Sequence, residues 1–164
     1  MYPVKLGYAE AVLRVKALIQ NGHHSEALLT AMFTTEKTLY RTLRQLVIST
    51  GFPSKQADIL MGKFKGIENI KSVWACFDTR HEKLSDFVAQ GTLKAIADAQ
   101  TMRNQLVHGI AVYSPADCHR AAIDVLAALD GLRGALDKRY GFDGWSTVKR
   151  RIKSTLHVDP RVKI

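Results

Sequence analysis

The stretch Ser114–Gly141, SPADCHRAAIDVLAALDGLRGALDKRYG, decides the fold. Ser114 is a natural N-cap. Pro115 suits the first helical position, where its missing N–H costs nothing, and Asp117 sits at the third, where a carboxylate complements the helix dipole. Ala122, Val125, Leu126, Leu129, Leu132 and Leu136 then recur at helical spacing up to Tyr140, and Gly141 is the stop. Ala121, Ala128, Gly131 and Ala135 are small enough to admit a close neighbour. At about 1.5 Å per residue this is a helix of roughly 40 Å, long enough to be a bundle member but not to fold alone.

Similar patterns occupy the chain on the N-terminal side. A first helix is expected from Val4 to about Gln20, ended by Asn21-Gly22. A second, long one is expected from an N-cap at Ser25 to about Thr50, with Leu28, Met32, Leu39, Leu43 and Leu46 on its inner face. Leu29, Phe33, Tyr40 and Val47 widen that face. Gly51 and Pro53 close it, and Ser54 is read as the cap of a short helix from Lys55 to Met61. Ile67–Phe77 reads as another short helix, and Asp78–Lys83 as a polar turn. Ser85–His108 reads as one long segment, kinked or split at Gly91, with Gly109 as its stop. No strand alternation and no repeat appears. The expectation is an all-α, up-and-down bundle of four to five main helices with short accessory helices over residues 1–141. A basic short helix (Ser146–Lys153) and tail should follow within residues 142–164.

Composition narrows the function classes. The 164 residues are 46% hydrophobic and 24% charged, an ordinary globular balance. No run is apolar enough to span a membrane, and the start lacks a secretory pattern. Two cysteines, Cys76 and Cys118, read as free thiols, so a cytoplasmic location is expected. The 24 Lys and Arg exceed the 15 Asp and Glu by nine, which favours a polyanionic partner, nucleic acid first and an anionic membrane surface second. Phosphate-loop, dinucleotide, zinc-protease and nucleophile-elbow motifs are absent, and neither metal nor cofactor is expected. His23-His24 beside Glu26 lacks the further ligands a zinc site needs. Cys118 and His119, adjacent on a helix, point about 100° apart and do not form a catalytic pair.

The segment Arg103-Asn104-Gln105-Leu106-Val107-His108 combines a permanent cation with a group that titrates near neutrality. Asn104 and His108, four apart, share a helix face. Cleaving RNA by its own 2′-hydroxyl needs a base for that proton, an acid for the leaving 5′-oxygen, and a cation for the phosphorane charge. One histidine cannot easily serve both sides of the displacement. Two copies across a two-fold axis would supply two histidines and two arginines. The competing reading is structural: Arg103 and His108 complement the dipole at a helix C-terminus.

Arg103-Asn104-x-x-x-His108 at a helix end, in an all-helical domain of this size, resembles the HEPN superfamily. Its signature is an arginine followed after four to six residues by a histidine, often with a polar residue just after the arginine. The resemblance implies a helical bundle that dimerises with its motifs facing across a cleft. It also implies a metal-independent endoribonuclease of the toxin–antitoxin or phage-defence kind. Arg103 would contact the scissile phosphate, His108 would be the acid/base, and Asn104 would orient substrate or the motif. An antitoxin or other regulatory protein is the further partner implied. A toxin branch places a Tyr two residues after the His. Here Ile110 stands there, and Tyr113 is the nearest aromatic hydroxyl. Other members are non-catalytic binding or regulatory modules, such as mannitol-operon-repressor-like regulators, which is the alternative reading.

From Arg133 to Ile164 nine basic residues face three acids, so +6 of the +9 lies in this last fifth of the chain. Lys138, Arg139, Lys149, Arg150, Arg151 and Lys153, interleaved with Tyr140, Phe142 and Trp145, form the expected RNA-holding surface beside the motif.

Overall fold

The computed structural model describes residues 7–147 and 150–156, and within them the chain is an all-α bundle. Four helices are long: α1 (Tyr8–Gln20), α2 (His24–Ser49), α5 (Gln90–Val107) and α6 (Pro115–Tyr140). Two are short, α3 (Ser54–Met61) and α4 (Ile67–Phe77), and a 3-10 turn covers Leu84–Asp86. Helices α2 and α6 run parallel and form the central pair. His24 meets His119 at one end, while Thr42 and Tyr140 line a common cleft at the other. Helices α1 and α5 pack against this pair with the opposite sense. Tyr8 donates a 2.6 Å hydrogen bond to Asp130, and Thr92 lies against Gly131. The last residues of α1 and α5 and the first residues of α2 and α6 therefore share one end of the bundle.

The apolar faces fall where the spacing put them. Leu28, Met32, Leu39, Leu43 and Leu46 of α2 are buried against Val125, Leu129, Leu132 and Leu136 of α6. Leu126 is only half-buried. Helix α2 also buries a polar stripe, Thr34, Thr35, Thr38 and Thr42. Each hydroxyl donates to the carbonyl four residues back, at 2.8–3.0 Å, so none is buried unsatisfied.

Several boundaries differ from the sequence reading, each for a local reason. Helix α1 starts at Tyr8 with Gly7 as its cap, because the Glu10 carboxylate reaches back to the Gly7 N–H. Helix α2 is capped by His23, and Ser25 lies inside it. Ser54 is the first residue of α3 rather than its cap. Its hydroxyl instead accepts the Arg151 N–H at 3.0 Å. The segment from Ser85 is not one helix. The Asp86 carboxylate takes the Lys83 N–H, Leu84 and Val88 are buried, and the chain leaves helical geometry at Ala89 before α5 begins. Helix α6 has the expected limits, with the Asp117 N–H donating to Ser114 Oγ and Gly141 in the left-handed conformation.

Beyond Gly141 the expected short basic helix does not form among the described residues. Long-range partners hold the chain instead. Phe142 is buried, and the Trp145 indole donates to Thr38 Oγ1 at 2.8 Å with Lys37 and Arg41 over its ring. Farther on, the chain lies along the α2–α3 junction. Ser54 N–H donates to the Arg151 carbonyl and Thr155 N–H to the Gly51 carbonyl. No helix among the described residues is long and apolar enough to cross a membrane.

Candidate functional site

Arg103 lies on α5 with its guanidinium 5.2 Å from the centre of the Phe33 ring of α2. Its Nη1 donates to Asn104 Oδ1 at 2.8 Å. The arginine is half-buried, and a ring face and an amide on two sides restrict its motion. Its remaining N–H groups have no hydrogen-bond partner among the described residues. His108 is exposed at the C-cap of α5, its N–H bonded to the Asn104 carbonyl at 3.0 Å. Gly109 follows in the left-handed conformation (φ 64°), and the Ile110 N–H returns to the Gln105 carbonyl at 2.9 Å. This double closure fixes the backbone that carries His108. The loop to α6 folds back along α5 through a hydrogen bond from Tyr113 Oη to Gln105 Oε1. No hydrogen bond joins Arg103 to His108 among the described residues. Val107, Ile110 and Val112 beside His108 are 52%, 72% and 98% exposed, an apolar rim around an accessible imidazole.

Two further histidines stand at this end of the bundle. His24, in the first turn of α2, and His119, near the start of α6, meet edge-to-face with ring centres 5.0 Å apart. His24 Nδ1 is buried and unpartnered among the described residues. Beside them, burial and then Asp117 and Glu26 push the Cys118 thiol above its ordinary pKa, so it is a packed thiol rather than a nucleophile. Nothing in the sequence pairs His24 with His119, because 95 positions separate them and only the parallel packing of α2 and α6 brings them together. No group of three or more metal-ligating side chains forms among the described residues.

The basic C-terminal surface is not beside this site. Lys138 lies near the end of α6, about 35 Å along the helix from Pro115. Arg150, Arg151 and Lys153 belong to the segment that docks at the far end of α2, while Lys149 falls outside the described residues. Arg139 is not available to a phosphate. Its side chain is 11% exposed and is pinned by Asp78 at 2.8 and 2.7 Å and by Glu82 at 2.7 Å. Arg151 is half-buried, with Nη1 on Thr155 Oγ1. Lys138, Arg150 and Lys153 are exposed. The three aromatics expected to stack on bases are structural. Phe142 is buried, Trp145 is clamped on α2, and Tyr140 donates to Asp78 while accepting from Trp74.

Asp78 organises the opposite end of the bundle. Burial by itself would raise its pKa. Hydrogen bonds from Arg139, Tyr140 and the N–H groups of Glu82 and Arg80 outweigh burial and hold the carboxyl well below the usual carboxylate range. Burial, then the bond to Asp78, pushes the Tyr140 phenol up to about 12.

No protein-family model, curated protein or solved structure matches this chain.

Proposed function

We propose that this chain is a metal-independent endoribonuclease of the HEPN type, acting as a homodimer in a toxin or phage-defence role. The observation that carries the reading is the setting of the motif. His108 is solvent-accessible on a fixed helix cap, and Arg103 on the same helix is held by Asn104 and Phe33 with donors to spare. A site that must admit a phosphodiester needs both properties. His108 of one copy takes the proton from the ribose 2′-hydroxyl as its oxygen attacks phosphorus. His108 of the second copy protonates the departing 5′-oxygen, and the two Arg103 side chains balance the phosphorane charge. The products are a 2′,3′-cyclic phosphate and a 5′-hydroxyl. The apolar rim of Val107, Ile110 and Val112 is the surface on which the second copy closes.

The test is cleavage of RNA with metal chelated. Wild type should cut and leave cyclic phosphate ends, while Arg103→Ala and His108→Ala should each lose at least a hundredfold in rate, as for removal of an acid/base group. Cleavage that survives both substitutions, or a folded wild type that cuts nothing across a salt series, refutes the reading. A non-catalytic binding or regulatory module is the second reading. It is favoured by the Arg103 guanidinium being bonded to Asn104 and not to His108. It predicts RNA or a protein partner bound without turnover, and tolerance of His108→Gln.

A further inference from the structure

The end of a helix presents carbonyl oxygens, which repel a phosphate. At the end of α5 most of them are already taken. The Asn104 carbonyl accepts the His108 N–H at 3.0 Å, the Gln105 carbonyl the Ile110 N–H at 2.9 Å, and the Leu106 carbonyl the Gly109 N–H at 3.2 Å. The side chains complete the change of sign. Asn104 Oδ1 accepts from Arg103 Nη1 at 2.8 Å, and Gln105 Oε1 accepts from the Tyr113 hydroxyl. An amide whose oxygen is held turns its NH₂ group to the other side. Neither NH₂ group has a hydrogen-bond partner among the described residues, and neither is a buried unpaired atom, so both meet solvent.

Spacing sets these donors around His108. At about 100° per residue, Asn104 and Gln105 stand about 40° and 60° to either side of His108, one turn behind it. Arg103, tied to Asn104, closes one flank of this arc, and Tyr113, tied to Gln105, closes the other. The accessible imidazole therefore lies between two NH₂ groups, with the guanidinium beside them. A phosphodiester presents two non-bridging oxygens that only accept, and it matches such a surface. Within the loop from Gly109 to Tyr113, Tyr113 alone hydrogen-bonds α5 through its side chain, among the described residues.

We propose that Gln105 is a further catalytic residue, its NH₂ group donating to a non-bridging oxygen of the scissile phosphate, and that Tyr113 is a positioning residue that fixes the polarity of the Gln105 amide. This rests on the endoribonuclease reading. Charge builds on the non-bridging oxygens after the 2′-oxygen bonds to phosphorus and before the bond to the 5′-oxygen breaks. A donor already held at that place acts more on the transition state than on bound substrate. A glutamine free to flip would spend part of its time with its oxygen, an acceptor, against the phosphate.

Steady-state cleavage by the full chain with metal chelated tests this, using an RNA that wild type cuts and the same RNA with a phosphorothioate at the mapped cut. Gln105→Met keeps the length and loses the donor. It should lower kcat about a hundredfold with KM little changed, as for removal of one oxyanion donor. Tyr113→Phe keeps the donor and loses its lock. It should cost less than about tenfold, and nothing further in the Gln105→Met background. Both variants should keep the helical circular dichroism of wild type. Sulfur accepts hydrogen bonds less well than oxygen, so wild type should cut one phosphorothioate diastereomer at least about tenfold more slowly than the other. That preference needs no variant to observe. It should shrink in Gln105→Met and persist in Tyr113→Phe. Equal losses in the two variants make the pair a clasp on the loop and overturn the proposal, as does the absence of any diastereomer preference in wild type. Wild type that cuts while His108→Ala does not, with Gln105→Met unchanged in kcat, defeats this inference alone. Wild type that cuts nothing defeats the endoribonuclease reading and this inference with it.

Discussion

Replacing Asp78 with asparagine removes the charge from a carboxylate whose side chain is fully buried and accepts five hydrogen bonds. The asparagine retains one acceptor oxygen and turns an NH₂ group toward groups that are themselves donors. Arg139, 11% exposed, keeps only Glu82 as a counter-ion. Breaking a buried pair by removing one partner costs about 3–5 kcal/mol. Glu82 is 39% exposed and stays 2.7 Å from the guanidinium, so the loss belongs at the low end, about 3 kcal/mol. In a domain of this size that lowers Tm by roughly 6–12 °C. The pH dependence carries the same signature. The folded carboxyl titrates below the unfolded one, so its stabilisation is fully present above about pH 4 and is lost as pH falls through the folded value. The gap between wild type and Asp78→Asn in urea unfolding should be constant from pH 5 to 8 and narrow below pH 4. At the alkaline side Tyr140, raised to about 12, stabilises fully below about pH 10, and that contribution is lost as pH rises toward 12. A variant within about 1 kcal/mol of wild type at pH 7, or an equal gap at pH 3, would refute this account of how α4, the turn that follows it and α6 are tied.

Two other perturbations separate local strain from packing and from assembly. Gly141 and Gly144 both have positive φ, but a Cβ on Gly141 meets open space, whereas one on Gly144 would lie 2.8 Å from the Thr38 carbonyl oxygen. Gly141→Ala should therefore cost about 1 kcal/mol of backbone strain, and Gly144→Ala clearly more, with loss of Trp145 docking visible in its fluorescence. Ile110→Asp with Val112→Asp should leave monomer stability within about 0.5 kcal/mol, because both side chains face water, while abolishing in sedimentation the dimer proposed for wild type. A dimer that persists in that variant removes the proposed closing surface.

Much of the bundle is readable in the chain because helix signals are local. Ser114, Pro115 and Asp117 start α6, and Gly141 stops it, through contacts within one turn. Leu28 to Leu46 bury as their spacing requires. The misreadings occur where a local signal yields to a distant partner. Ser54 looks like a cap and serves Arg151, 97 residues away, and the basic run after Trp145 looks helical and pairs with Gly51 and Ser54. Thr34, Thr35, Thr38 and Thr42 of α2 are polar, yet each closes a bond to the carbonyl one turn back and so can be buried. For the site, the sequence supplied Arg103, Asn104 and His108 with their spacing. It could not supply Phe33 as the floor under Arg103, nor the meeting of His24 with His119.

The Ser114–Gly141 stretch, with its counterparts in α2 and α5, determined by itself that the protein is an all-helical bundle, since periodicity and caps act over one to two turns. Tertiary structure decided which charges remain available. Arg139 and Lys138 are neighbours in a basic run, but the helical turn of about 100° between them points one into Asp78 and leaves the other in water. The parallel packing of α2 and α6 then set the basic C-terminal segment at the opposite end of the bundle from His108, a separation no count of charges along the chain contains.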